Sequence, residues 1–200
     1  MIERFEVLSE GTYAEGRSFS GHTYRLLQGR LHGSVHPADP ANSAIVDLDR
    51  AQRAENGAVR YTADVTLITP ADGPAESALV DVPNRGNRLL ASSFHRVVAL
   101  NPADTLKPGD GWLLHRGVEL VSIGWQWDAQ GEHAMRIDVP VALDDAHAGA
   151  EQAPADAEAT KPARGEVMVE LRPDRDAASL RLLSLGQDAP SYPVVDVNGG

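Results

Sequence analysis

Cysteine is absent from the 200 residues. That excludes disulfides, thiolate metal sites and a cysteine nucleophile, and leaves the cellular compartment open. Basic residues are scarce: 18 Lys and Arg stand against 29 Asp and Glu, a formal net charge of -11. Phosphate binding needs clustered Lys and Arg, so neither nucleic acid nor an anionic membrane is expected as a partner. The acidity reads as solubility. No stretch approaches the roughly 20 apolar residues of a membrane span, and "MIERFEVLSEGTYAEG" at the N-terminus lacks the long apolar core of a signal peptide. With Met1 as the natural start, a soluble cytoplasmic protein is expected. No Gly-rich loop ends in Gly-Lys-Ser/Thr and no Gly-x-Gly-x-x-Gly opens a helix, so neither nucleotide nor cofactor binding is predicted.

What is present describes a folded chain. The apolar fraction is 42% and the charged fraction 24%, within the range of ordinary globular proteins. The length fits one domain, or a large one cut short. The first third reads as β structure. "HTYRLLQGRLHGSV" (residues 22–35) alternates loosely between glycines, and "SAIVDLDRA" (43–51) is a compact apolar run with acidic exits. "AVRYTADVTLITP" (58–70) alternates cleanly, with Val59, Tyr61, Ala63, Val65 and Leu67 on one face, the spacing of a half-buried strand. Asn56-Gly57 sits where a hairpin turn would want it.

The middle changes character. A strand over residues 77–82 leads into "NRLLASSFHRVVALN", which places Leu89, Leu90, Phe94, Val97 and Val98 on one helical stripe with Asn87 as N-cap. "PGDGWLLHRG" gives a second short helical turn that Gly117 stops. "VELVSIGW" (118–125) follows as another apolar strand. Strand, helix and strand of this continuous apolar character predict a right-handed parallel βαβ crossover. Strands "MRIDVPVAL", "GEVMVELRP", "ASLRLLSL" and "SYPVVDV" are expected afterwards, and residues 144–165, rich in Ala, Pro, Asp and Glu, read as a mobile surface insertion.

The corner "PNRGN" at 83–87 interrupts the crossover at the carboxyl end of its first strand, where open α/β sheets bind ligands. Pro83 ends the strand, and Gly86 can adopt backbone angles closed to other residues. Such a corner can aim backbone N–H groups at one point beside a helix N-terminus and so build an oxyanion hole. A plain tight strand-to-helix turn is the other reading.

"VDVPNRGNRLL", "GDGWLLHRGVELVSIGWQWD" and "ANSAIVDLDRAQRAENGAVRYTADVTLITP" together resemble the bacterial alpha/beta-hydrolase-domain proteins, which carry similar blocks in the same order. The resemblance covers residues 29–138, and the last third matches only loosely. It implies an α/β fold: a partial α/β-hydrolase-like sheet with the βαβ unit, a β-rich N-terminal region and C-terminal strands, forming one incomplete domain over residues 1–200. It implies that 77–82 is the third strand of that sheet and 118–124 the fourth. Asn84, Arg85 and Gly86 then form the oxyanion-hole side, and Trp125, Gln126 and Trp127 wall the acyl pocket. Plain core packing explains the tryptophans equally well.

The activity implied is serine hydrolysis of a carboxylic ester or related acyl bond, with a small ester-like substrate in the complete protein. The Gly-x-Ser-x-Gly elbow, acid and histidine of such an enzyme are absent. Ser18 and Ser20 in "GRSFSGH" have the wrong glycine spacing, and Ser92 and Ser93 near His95 sit on the predicted helix. Family members are considerably longer, so the chain reads as the N-terminal part of such an enzyme, inactive by itself.

Other constellations weigh less. His32 and His36 are four apart, on one face of a strand, with His22 upstream; a metal would want a third ligand and a rigid frame, so none is expected. Asp47, Asp49 and Asp64 read as turn and surface groups. The alternative to the hydrolase segment is a non-catalytic β-rich binding module.

Overall fold

The computed structural model describes residues 1–131 and 133–143, with Arg181–Leu182 and Tyr192–Pro193. The chain divides into two units, Met1–Ala163 and Arg164–Gly200. In the first, the strands are β1 (Ile2–Thr12), β2 (Tyr24–Val35), β3 (Val59–Pro70), β4 (Ala78–Asp81), β5 (Glu119–Ile123) and β6 (Ile137–Asp138). They form one mixed sheet in the order β1-β2-β3-β5-β4, with β6 also pairing β3. In the second unit, β7 (Arg181–Leu182) and β8 (Tyr192–Pro193) pair antiparallel. The predicted insertion at 144–165 and most of the three last expected strands lie outside the described residues.

The frame is the long antiparallel pair of β2 and β3, in register from Tyr24 opposite Pro70 to Val35 opposite Val59. Residues directly opposite share a face and successive residues alternate. One face gathers Tyr24, Ile68 and, from β5, Leu120, and joins Tyr13, Phe19, Leu90, Leu113 and Leu114 in the main core. Phe19 and Leu114 are fully buried, each stabilising the fold by roughly 1.5–3 kcal/mol. The Tyr24 hydroxyl donates to the Leu114 carbonyl at 2.9 Å; burial, with Asp72 adding, pushes its pKa up to about 12. At the other end of the same strands the opposite face is the covered one: Val59 packs with Leu48, Ala51 and Val35. The apolar alternation of β3 therefore serves two cores. Val59, Ala63 and Val65 are buried as its spacing predicts, and Thr66 and Ile68 are buried on the other side.

The expected α/β architecture, a partial α/β-hydrolase-like sheet, is not what forms: the first unit is β-rich. Among the described residues there is one α-helix, α1 (Leu90–Phe94), five residues long. The stripe read over "NRLLASSFHRVVALN" fails beyond it, because Arg96 takes a left-handed φ of +54° and Val98 is 77% exposed. A left-handed non-glycine residue cannot continue a right-handed helix. Asn87 is not the N-cap; Leu89 holds that position, and its N–H donates to Oδ2 of Asp81 at 3.0 Å. "SAIVDLDRA" is not a strand either. Asp47 at φ +56° leads into a 3-10 turn at Leu48–Arg50, leaving Val46 exposed.

The crossover itself does close as a parallel pair. β4 lies beside β5 in parallel register, Ala78 opposite Glu119 and Asp81 opposite Ser122. The connection runs through α1 and 3-10 turns at Pro102–Leu106 and Leu114–Arg116, the last stopped by Gly117 at φ +70°. Every other pairing in this sheet among the described residues is antiparallel.

Candidate functional site

Because β4 and β5 are parallel neighbours, their carboxyl ends open on the same rim of the sheet. The corner 83–87 leaves one end and the stretch 124–128 leaves the other, and the two dock. Pro83 is buried, and its carbonyl accepts the Trp125 indole N–H at 2.9 Å. Beyond it Arg85 and Gly86 both have positive φ, +53° and +76°, and Asn87 N donates to Asn84 O at 3.1 Å. Two successive left-handed residues closed by that bond are the mark of a type I′ turn.

Arg85 is the hub of the docking. Its backbone N–H donates to Oε1 of Gln126, and its Nη1 donates to Oδ2 of Asp128 at 2.8 Å. Gly86 fills the remaining side. Its carbonyl accepts the Met135 N–H at 3.0 Å, and a β-carbon placed on it would stand 2.8 Å from that of Ala134 and 3.0 Å from that of Ala129. Residues 124–131 and 133–136 are tied down in turn: Gly124 N donates to Asp64 O at 2.8 Å, and Arg136 spans Ala129 O and Gly131 O at 2.6 and 2.7 Å.

Behind the corner, Thr66, Ser122 and Asp81 stand opposite one another across β3, β5 and β4. Ser122 Oγ donates to Asp81 Oδ2 at 3.3 Å, and Arg88 donates Nε and Nη2 to Thr66 Oγ1 at 3.1 and 2.8 Å. Burial pulls the Arg88 guanidinium pKa down against the raising fields of Asp64 and Asp81. The sequence reading missed Arg88, Asp81 and Asp128. The Asp128 signal was legible: a carboxylate five residues past the end of β5, opposite an arginine four residues past the end of β4.

Of the six residues expected at the site, five meet. Asn84, Arg85 and Gly86 form the turn, and Trp125 and Gln126 hold its backbone. Trp127 diverges and lines a separate cavity of about 330 Å³ with Arg30, Asp64 and Arg136. Trp125 and Trp127 are 51% and 64% exposed, which decides against core packing for both. Gln126 is not simply a wall, since it already occupies the Arg85 N–H.

The remaining candidates separate. Ser92 Oγ donates to Leu89 O within α1, and the Nε2 of buried His95 accepts the Leu113 N–H at 3.3 Å. His32 pairs across the sheet with Glu6 at 2.7 Å, while His36 Nδ1 accepts from Ala38 N. Among the described residues no cluster of three or more metal-ligating side chains occurs, and no helix is long and apolar enough to cross a membrane. An open groove of about 950 Å³ lies elsewhere; Arg4, His32, Thr62 and Asp138 line it from four neighbouring strands. Set against known proteins, the chain matches no family model, no curated sequence and no solved structure.

Proposed function

We propose that the turn at 84–87, braced by residues 124–128, is the oxyanion-binding side of an acyl-ester hydrolase, and that this chain contributes donors and pocket wall rather than the nucleophile at that place. The observation that carries the reading is the Gln126 carboxamide oxygen seated on the Arg85 N–H. A neutral carbonyl oxygen there is chemically what an ester presents, and a tetrahedral intermediate would bring more negative charge to the same donor. The position supports it: ligands in sheets with parallel strands lie beyond carboxyl ends, where the chain crosses over a neighbour, and β5 lies between β3 and β4. Trp125, half exposed beside the turn, offers an apolar surface for an acyl chain. Among the described residues no hydrogen-bonded serine–histidine pair adjoins the turn. The resemblance of "VDVPNRGNRLL" and "GWQWD" to hydrolase-domain proteins points the same way.

The test is titration of the isotope-labelled protein with butyrate, the acid half of a small ester. Amide signals of Arg85 and Gly86 and the Trp125 indole signal should shift together, and Gln126→Ala should tighten binding by freeing the donor. Shifts confined to Arg4, His32, Thr62 and Asp138, or none at all, would reject the reading.

The second reading, a non-catalytic binding module, is favoured by the open groove of about 950 Å³ at Arg4, His32, Thr62 and Asp138. It predicts that small polar ligands shift those signals and leave Arg85 unmoved.

A further inference from the structure

The tight turn ahead of β2 brings together a serine and a histidine that are 95 residues apart. Ser20 Oγ lies 2.9 Å from Nδ1 of His115, and both side chains are exposed. Each hangs from a buried neighbour. Phe19 anchors the turn at 0% exposure, and its ring meets the His115 imidazole edge-on, centroids 5.4 Å apart. Leu114, equally buried, fixes the 3-10 turn that carries His115.

The backbone adds a second, independent feature. Ser20 has φ +50° and Gly21 +97°, while Phe19 and His22 exchange both backbone hydrogen bonds at 2.8 and 3.0 Å. A left-handed serine is strained and persists only where its surroundings enforce it. A serine hydroxyl held out on a sharp, strained turn and hydrogen-bonded to an imidazole is the local arrangement that acyl-transferring serines use. The glycine pattern that identifies such serines in a sequence is missing here, and the turn leads into β2 instead of a helix.

We propose that Ser20 is an acylatable nucleophile and His115 its general base, acting on small activated esters. With the imidazole as its Nε2–H tautomer, Nδ1 takes the hydroxyl proton as Oγ bonds the acyl carbon. The ester C–O bond then breaks, and the alkoxide or phenoxide oxygen leaves with that electron pair and takes the proton from Nδ1, which frees the imidazole for the second step. In the second step water gives a proton to Nδ1 and its oxygen to the acyl carbon, and Oγ departs and regains a proton. No carboxylate holds Nε2 among the described residues. Loss of that partner costs a full triad about 10⁴ in rate, so stable acylation rather than fast turnover is the expected behaviour.

This site is separate from the turn at 84–87. His115 precedes β5 and residues 124–128 follow it, so five strand residues, about 16 Å, lie between them. The two readings therefore fail independently.

The experiment is incubation of the chain with p-nitrophenyl acetate, intact mass measurement and peptide mapping. One acetyl group per chain, on Ser20, is expected. Ser20→Ala and Ser20→Gly, the latter relieving the backbone, should both abolish it. His115→Gln should slow it about a hundredfold, while Ser18→Ala leaves it at the wild-type rate. Acetyl groups on lysines and the N-terminus with Ser20 unlabelled would overturn the proposal, as would wild-type labelling of His115→Gln.

Discussion

Arg85 is held twice by one strand exit: Oε1 of Gln126 accepts its backbone N–H and Oδ2 of Asp128 accepts its Nη1 at 2.8 Å. The two acceptors are two residues apart, so the stretch after β5 grips both the main chain and the side chain of the residue that starts the left-handed turn. The Asp128 carboxylate is 10% exposed and the Arg85 side chain 44%, so solvent screens the pair from one side only. Asp128→Asn should cost about 1 kcal/mol, the upper end for pairs open to water. Gln126→Ala should cost a similar amount through one lost hydrogen bond. Because both act on Arg85, the double variant should depart from additivity by about 0.5 kcal/mol or more. Urea denaturation of the four proteins measures it, and strict additivity would mean that the two contacts do not share a task.

Gly86 is the position at which the turn tolerates least. At φ +76° a side chain is strained whatever the space, and the β-carbon would meet Ala134, Ala129 and the Met135 backbone within 3.0 Å. Gly86→Ala should destabilise the first unit by about 1–3 kcal/mol and weaken butyrate binding at the turn. Gly131, also at positive φ but with open space around it, is the control. Gly131→Ala carries only the backbone term and should cost less. Thermal melts of the two variants compare them, and equal losses would show that crowding at Gly86 contributes nothing.

The parts of this architecture legible in the sequence are those written in side-chain pattern. β3 announced itself through Val59, Ala63 and Val65, β4 and β5 through their apolar runs, and Gly117 through its place after a short helical turn. That "PNRGN" and "GWQWD" leave the ends of two parallel neighbours was legible; the contact between them through Arg85, Gln126 and Asp128 was not. β1 left no such trace. It is largely exposed, and backbone pairing to β2 holds it from Ile2 opposite Gly33 to Thr12 opposite Arg25. A strand that buries no continuous face needs no alternation. The helix was over-read because Leu89, Phe94 and Val98 have the right spacing yet stay exposed; periodicity reports what a helix would bury, not that a partner surface exists. The Ser20–His115 contact was beyond reach, since nothing local marks a pairing between two residues 95 positions apart.

Phe19 links the main core to the Ser20 turn. It is fully buried, its ring meets Tyr24 edge-on at 6.0 Å between centroids, and Arg17 lies over it at 4.8 Å. Phe19→Ala should cost about 3–5 kcal/mol. Phe19→Leu, which keeps most of the volume, should cost less yet still release the His115 ring. Acetylation of Ser20 in the folded Phe19→Leu protein should therefore be slower than in wild type, whereas a rate equal to wild type would detach the core from the pair.

His95 supplies a pH dependence that separates from the carboxylates. It is 1% exposed, and Leu113 donates to its Nε2. Burial pulls its pKa below the ordinary 6.5, with the Asp110 charge opposing in part. In the folded chain the ring therefore stays neutral at pH values where the unfolded chain has already taken up a proton. The unfolded state binds more protons in that window, so stability is full above about pH 6.5 and declines as pH falls towards the folded value. Glu6 and Asp104 also have lowered pKa values, the first chiefly through His32 and the second chiefly through Lys107. Their contributions are present above the ordinary carboxylate range and are lost only at lower pH. His95→Gln keeps an acceptor for Leu113 and cannot titrate. Between about pH 7.5 and 5.5 the wild-type urea midpoint should fall more steeply than that of His95→Gln, the gap opening below the ordinary histidine value. Parallel curves for the two proteins would show that burial does not hold this ring neutral.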